Sequence, residues 1–207
     1  MFIQVVHGMT SDAEQLKRAF DRWDEQLAPN AIGWLGTTAG VNADNQFIAL
    51  ARFGSASDAQ ANSDRPEQHD WWMQTSRLFD GDVTFHNCTH TSDFMGGGSD
   101  DAGFVQVIHG AVNDVPRMEA LQDRMEETVG DFRPDIIGGR TAIHSDEAHF
   151  TEAMYFKSEA EARQGEQKKP PEELKALFNE ETAMTSDLGY VDLANPWLSS
   201  PASARSG

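Results

Sequence analysis

From Phe2 to Gly8 apolar residues occupy both parities of the chain: Phe2 and Val6 on one, Ile3 and Val5 on the other. An extended segment apolar on both sides is a strand covered on both faces. The period then changes. Ala13, Leu16, Phe20, Trp23 and Leu27 recur at steps of three and four, the stripe of an amphipathic helix. Ser11 and Glu14 stand at capping-box spacing, which predicts Ser11 as the helix cap. Pro29 and Gly33 end that helix. Residues 34–41 and 46–53 read as two strands around the polar turn Asn42-Ala43-Asp44-Asn45. A second helix starts near Ser57, is interrupted at Arg65-Pro66 because proline cannot continue the hydrogen-bond ladder, and resumes to Phe79. A last strand follows from Val83 to Thr91.

The same pattern returns. Residues 104–110 read FVQVIHG against FIQVVHG at 2–8, five of seven identical. At the same offset of 102, Asp12 meets Asp114, Asp21 meets Asp123, Arg22 meets Arg124, Glu25 meets Glu127 and Gly36 meets Gly138. The register then slips by one, so that Phe47 meets Phe150, Phe53 meets Phe156, Ser55 meets Ser158 and Ala59 meets Ala162. Ordered matches over a whole half mean two copies of one unit. Copy two therefore has strands at 136–143 and 149–156, helix breaks at Pro170-Pro171 and a last strand over 188–193. The order β-α-β-β-α-β is the ferredoxin-like split arrangement, with helices on one face of an antiparallel sheet. Residues 95–103, MGGGSDDAG, read as a flexible linker reaching about 15–18 Å. The expected layout is repeat one over 1–94, the linker over 95–103, repeat two over 104–198 and a disordered tail over 199–207.

Composition narrows the functional classes. Asp and Glu number 34 against 16 Lys and Arg, a net charge of −18. That balance disfavours duplex nucleic acid and anionic membranes as partners. No apolar run approaches the roughly 20 residues of a membrane span, and the start lacks the pattern of a signal peptide. The single cysteine, Cys88, excludes a disulfide framework and an all-cysteine zinc site. The expectation is an acidic, soluble, cytoplasmic α+β protein.

One face of each predicted sheet is covered by its own helices, and the other needs a partner. The simplest solution packs the two sheets together. Topology, repeat and first-strand pattern resemble the dimeric α/β barrel superfamily, and most closely its antibiotic-biosynthesis-monooxygenase-like branch, in tandem form. Arg65-Pro66-Glu67-Gln68 ahead of Trp71-Trp72 also resembles a group of bacterial proteins that share this stretch. The resemblance implies an intramolecular barrel, so that one chain suffices as a monomer where single-copy relatives dimerise. It also implies a ligand between the sheets and no cofactor.

Several residues could carry chemistry. Gln4 and Gln106 occupy the middle of the first strand in each copy and must find hydrogen-bond partners, either a ligand in the barrel or strand backbone. The copies then diverge: Trp34, Trp71 and Trp72 of copy one stand near Ile136, Ala176 and Leu177 of copy two. An aromatic cluster beside Arg65 and His69 could accept a flat, partly polar molecule. Adjacent helix positions diverge, so one of Trp71 and Trp72 is expected to face any single cavity. Arg140 and Glu152, counted back from their turn, fall opposite each other as a cross-strand ion pair. His109, His144 and His149 could gather near Asp146 and Glu147 at one sheet edge, which would suit zinc or iron. His86 and His90 lie about 13 Å apart on an extended strand, too far for one ion. Some related barrels degrade haem through an asparagine on the first strand and a tryptophan followed by a histidine on the second helix. Here Gln4 stands first and His69 precedes Trp71, so haem is not assigned.

Three functional readings follow. The first is a cofactor-independent oxygenase or isomerase acting on an aromatic or polyketide-like small molecule. His69 would be its base, Arg65 or the glutamines its enolate donors, and Gln4, Gln106, Trp34, Trp71 and Trp72 its binding surface. The second is a non-catalytic small-molecule-binding or assembly module, which a filled interior with no pocket near Trp34 would favour. The third is a metal protein using His109, His144 and His149.

Overall fold

A computed structural model describes residues 1–201. Its contacts divide the chain into two units, Met1–Thr89 with the segment from Pro196 onward, and His90–Asn195. Each is an α+β unit built on a five-stranded antiparallel sheet.

The first unit runs β1 (Phe2–Met9), α1 (Ala13–Gln26), β2 (Trp34–Val41), β3 (Gln46–Phe53), α2 (Ala56–Ser63), α3 (Pro66–Thr75) and β4 (Thr84–Cys88). The second runs β5 (His90–Phe94), β6 (Phe104–Val112), α4 (Val115–Phe132), β7 (Ile136–Ile143), β8 (His149–Phe156), α5 (Glu159–Glu166), α6 (Glu172–Met184) and β9 (Thr185–Leu193). A short C-terminal strand, β10 (Trp197–Ser199), closes the first sheet, whose order is β10-β2-β3-β1-β4; the second is β5-β7-β8-β6-β9. Among the described residues no helix is long and apolar enough to cross a membrane.

The helix caps fall one residue from the expected position. Asp12, not Ser11, caps α1, accepting from the Gln15 amide at 2.9 Å, and its repeat mate Asp114 caps α4 through the Arg117 amide at 3.1 Å. A carboxylate answers the positive end of a helix better than a hydroxyl does. Ser11 instead donates to Asp80. Ser55 and Ser158 cap α2 and α5, and α2 starts at Ala56, next to the expected Ser57.

The one-residue slip of the repeat lies in a hairpin turn. In the first unit Asn42 and Gln46 close a turn of three residues; in the second His144 and His149 close a turn of four. The longer turn sets the register of β7 and β8, pairing Arg140 with Ala153 and Thr141 with Glu152. Arg140 and Glu152 therefore lie on opposite faces of the sheet, and the expected ion pair between them does not form. Arg140 binds Asp93 instead, with Nε donating at 2.5 Å and Nη2 at 2.8 Å.

The last strand of copy one also differs from expectation. It breaks at Thr89: β4 pairs with β1, while β5 pairs with β7 in the second unit's sheet. Two glycines of β7 admit β5 and the loop behind it. A Cβ at Gly139 would stand 1.7 Å from the Phe94 ring, and one at Gly138 would stand 1.7 Å from the Gly97 carbonyl oxygen. Ser199, expected at the head of a disordered tail, is a buried residue of β10. Residues 202–207 of that tail lie outside the described residues.

In the first unit Phe2, Val6, Phe47, Ala49 and Phe53 pack with Leu16, Trp23 and Phe79 beneath the helices. Ile3, Val5, Ile48 and Leu50, of the other parity, are buried as well, which explains the doubly apolar first strand.

Candidate functional site

A cavity of about 280 Å³ opens inside the first unit, between the helix face of the sheet and α1, α2 and α3. It exists because of a size pattern along β3. Phe47 and Phe53 stand at the two ends of the strand, while Ala49 and Ala51 stand between them, opposite Val6 and Gln4. Two alanines beneath a layer of indoles leave a gap that larger side chains would fill. In the second unit the equivalent positions are Glu152 and Met154, between Phe150 and Phe156, opposite Ile108 and Gln106.

The roof is aromatic and fixed. Trp23 and Trp34 meet edge to face with centroids 5.0 Å apart, and both are buried. Trp23 Nε1 donates to Gln68 Oε1 at 2.7 Å, Trp34 Nε1 to Thr37 Oγ1 at 3.0 Å, and Trp71 Nε1 to the Ala19 carbonyl at 2.9 Å. Buried indoles tied by their N–H groups make walls of set orientation. Both Trp71 and Trp72 line the cavity, where one was expected. Trp71 turns toward α1, against Phe20 and Trp23, while Trp72 turns toward Phe79 and Phe85. The cavity passes beneath both.

A few polar groups break this apolar lining. Gln4 lies on the helix face, not on the opposite face where the barrel expectation placed the first-strand glutamines, and its Nε2 donates to Asn87 Oδ1 at 3.1 Å. His69 lines the cavity from the exposed face of α3. Asp24 of α1, half-buried, is the other titratable residue of the lining. Arg65 does not line the cavity. Its Nε and Nη2 bind Glu67 Oε1 at 3.0 and 2.8 Å, and its Nη1 binds Asn62 Oδ1 at 2.9 Å. Asn62 does line it, so the guanidinium reaches the cavity only through that amide. A backbone hydrogen bond first, and then the hydrogen bond and charge of Arg65, hold the Glu67 carboxyl below its ordinary range.

Gln106 is not brought together with these residues. Its Nε2 donates to Asp192 Oδ1 at 3.0 Å and faces Glu166 at 3.4 Å, and Arg163 also binds Asp192. Where the first unit has a cavity beside its glutamine, the second has an ion network. The His144 and His149 rings lie 6.2 Å apart, but the three histidines do not form a metal-binding group. His144 Nε2 meets Thr151 Oγ1 at 2.9 Å, His149 Nδ1 meets Asp146 Oδ2 at 2.7 Å, and His109 is paired across the ladder with Thr151 and Gly189. Among the described residues no group of three His, Cys, Asp or Glu side chains could hold a metal ion.

Sequence reasoning missed Trp23, Asp24, Asn62, Gln68 and Ser199 as cavity residues. Trp23 read as an ordinary member of the α1 stripe. The alanines at 49 and 51, facing large residues in the other copy, are the signal that could have located the gap.

No protein-family model matches the chain, and no curated protein matches it in sequence. Solved structures do match it in shape. A candidate monooxygenase of Lactobacillus acidophilus superposes with a TM-score of 0.73 at 11% identity, over 96% of each chain. One from Fusobacterium nucleatum gives 0.74 at 8% identity, over 96% of this chain and 94% of that one. An anthrone oxidase-like protein gives 0.68 at 12% identity, over 97% and 93%. At such identities the likeness establishes the fold, and the fold of this chain is the tandem ferredoxin-like one of these monooxygenase-like proteins.

Proposed function

We propose that the first unit binds a small aromatic or polyketide-like molecule and oxygenates or isomerises it without a cofactor. The observation that carries this reading is the cavity roofed by Trp23, Trp34, Trp71 and Trp72, with Gln4 and His69 as its polar contacts. Its volume lies near the small end of the range for ligand pockets, which suits two or three fused rings. It opens beside Trp34, the feature that separates this reading from a module with a filled interior.

The chemistry asks little of the protein. A substrate with a C–H made acidic by a carbonyl, adjacent or conjugated through an aromatic ring, loses a proton to His69, whose exposed position lets it pass the proton on to water. The enolate is the electron donor to O₂. One oxygen atom enters the product as a carbonyl and the other leaves as water with the two hydrogens of the original CH₂, so no external reductant is consumed. The walls keep the enolate dry, and Gln4 and Asn62 supply polar contacts to it. Arg65 acts through Asn62 as a positioning residue. The second unit, whose equivalent positions carry Glu152 and Met154, serves as scaffold.

Anthrone, a tricyclic C–H acid, tests this directly. All five tryptophans belong to the first unit, so their fluorescence reports on that unit alone. Anthrone should quench it saturably and consume one O₂ per molecule, and Ala49→Phe should abolish both. Quenching with neither O₂ uptake nor isomerisation of the bound molecule, from anthrone or any C–H acid that binds, would point to a carrier. Turnover untouched by His69→Ala and Trp71→Ala would refute the assignment.

A further inference from the structure

We infer that the C-terminal strand β10 supplies a ligand contact, the Ser199 hydroxyl, which selects ligands bearing a hydroxyl or carbonyl at the β2 edge of the cavity. This rests on the cavity being a ligand site.

Three observations support it. First, β10 is short and lies at the far edge of the first sheet, pairing with β2 so that Ser199 stands opposite Thr37 and Trp197 opposite Ala39. Second, the strand is anchored there by packing. The Trp197 ring meets Phe20 at 5.6 Å and Phe47 at 6.0 Å, both of which are cavity walls. Third, Ser199 is buried at 7% exposure and lines the cavity, yet its hydroxyl has no hydrogen-bond partner among the described residues. Buried hydroxyls are normally paired, and one facing a cavity is paired by what enters the cavity.

Its neighbour sharpens the assignment. The Thr37 hydroxyl accepts from Trp34 Nε1, which leaves its own proton free. Cross-strand partners place their side chains about 5 Å apart, so two hydroxyls share this end of an otherwise aromatic chamber. Gln4 stands on β1, two strands away from β2 in the sheet order. A flat ligand spanning the cavity would meet an amide at one side and hydroxyls at the other, with indoles above. The ligand class is therefore a fused-ring molecule with oxygen substituents at opposite ends.

The test compares 1-naphthol with naphthalene, by tryptophan fluorescence, in the full chain and in Ser199→Ala and Ser199→Thr. The wild type should bind 1-naphthol more tightly. Ser199→Ala should shrink that preference by roughly three- to tenfold, the worth of one hydrogen bond, while leaving naphthalene affinity in place. Ser199→Thr, which keeps the hydroxyl, should restore it. Unchanged circular dichroism and melting of Ser199→Ala would exclude an unfolding artefact. If the wild type discriminates and Ser199→Ala discriminates equally, the hydroxyl is read elsewhere and this inference fails while the cavity reading stands. If neither probe quenches the wild type, the cavity reading fails and takes this inference with it.

Discussion

Glu152 offers the sharpest test of how the two units diverged. It occupies the position of Ala49, under α4 and α6, and accepts hydrogen bonds from Thr141 Oγ1 at 3.0 Å and Gln122 Nε2 at 3.3 Å. Burial, and then the nearby Glu181 carboxylate, push its pKa from 4.5 up to about 7, against the smaller opposing pull of those hydrogen bonds. Burial raises Glu181 as well. The folded pKa lies above the unfolded one, so the sign is fixed. Below pH 4.5 the carboxyl is protonated in both states, and the stability associated with it is fully present. As the pH rises, the unfolded chain ionises first and stability falls, until the folded group also ionises near pH 7. At 1.36 kcal/mol per unit the loss is about 3 kcal/mol. Glu152→Gln keeps an acceptor for both donors and removes the titration. Urea unfolding at pH 5 and pH 8, followed by far-ultraviolet circular dichroism, should show the wild type losing about 2.5 kcal/mol relative to Glu152→Gln across that interval, the rest of the loss falling below pH 5. Hydrogen exchange of β8 would assign the transition to the second unit. Parallel stability curves for the two proteins would refute the reasoning. Glu181→Gln should reduce the wild-type loss without abolishing it, because burial is the larger cause.

Other consequences can be checked as simply. Asp12→Ala should cost about 1 kcal/mol in urea unfolding through loss of the α1 cap, and Ser11→Ala should cost less. Gly139→Ala drives a methyl into the Phe94 ring and should destabilise by roughly 1–3 kcal/mol, with faster exchange of the β5 amides. Native mass spectrometry of untagged protein should give a single chain near 22.9 kDa; a dominant species of twice that mass would overturn the expectation of a monomer.

Most of the fold was legible because period and repeat are written in the chain. The bounds of β2, β3, β7 and β8 follow directly from alternation and turn residues, and the duplication confirms each by its twin. What escaped notice depends on register and on distant partners. Counting from a hairpin turn cannot separate a three-residue from a four-residue closure, and one residue decides whether Arg140 sees Glu152 or Asp93. No local pattern marks that β5 leaves one sheet for the other, because the glycines that admit it lie some 45 residues downstream in β7. Ser199 reads as tail because small polar residues surround it, while its burial depends on β2, far earlier in the chain. The cavity was half legible. Trp34, Trp71, Trp72, Gln4 and His69 were identifiable as residues without counterparts in the second copy or as polar groups in apolar settings. Their shared location beneath the helices required the structure.

The duplication also explains why the chain can hold a gap at all. A cavity beneath four indoles forgoes packing that a filled core would have, at tens of calories per mole for each Å³ left empty. The second unit shows the filled alternative in the same framework. At the position of Phe20 it has Gln122, at that of Ala49 Glu152 and at that of Ala51 Met154, and the amide and carboxyl bond to each other across the layer. Each exchange replaces cavity wall by core. A ring over an alanine in one copy corresponds to an amide over a carboxyl in the other, so either change alone removes a partner: Gln122 without Glu152 keeps Thr141 as the acceptor for its amide group, and Glu152 beneath a phenyl ring keeps the Thr141 hydroxyl as its donor. The two positions should therefore behave as a coupled pair. Converting Gln122 and Glu152 together to Phe and Ala should cost less stability than the sum of the single changes. A double-mutant cycle measured by urea unfolding at pH 5, where Glu152 is protonated, should give a coupling of about 1 kcal/mol or more, and strict additivity would mean that the two sites diverged independently.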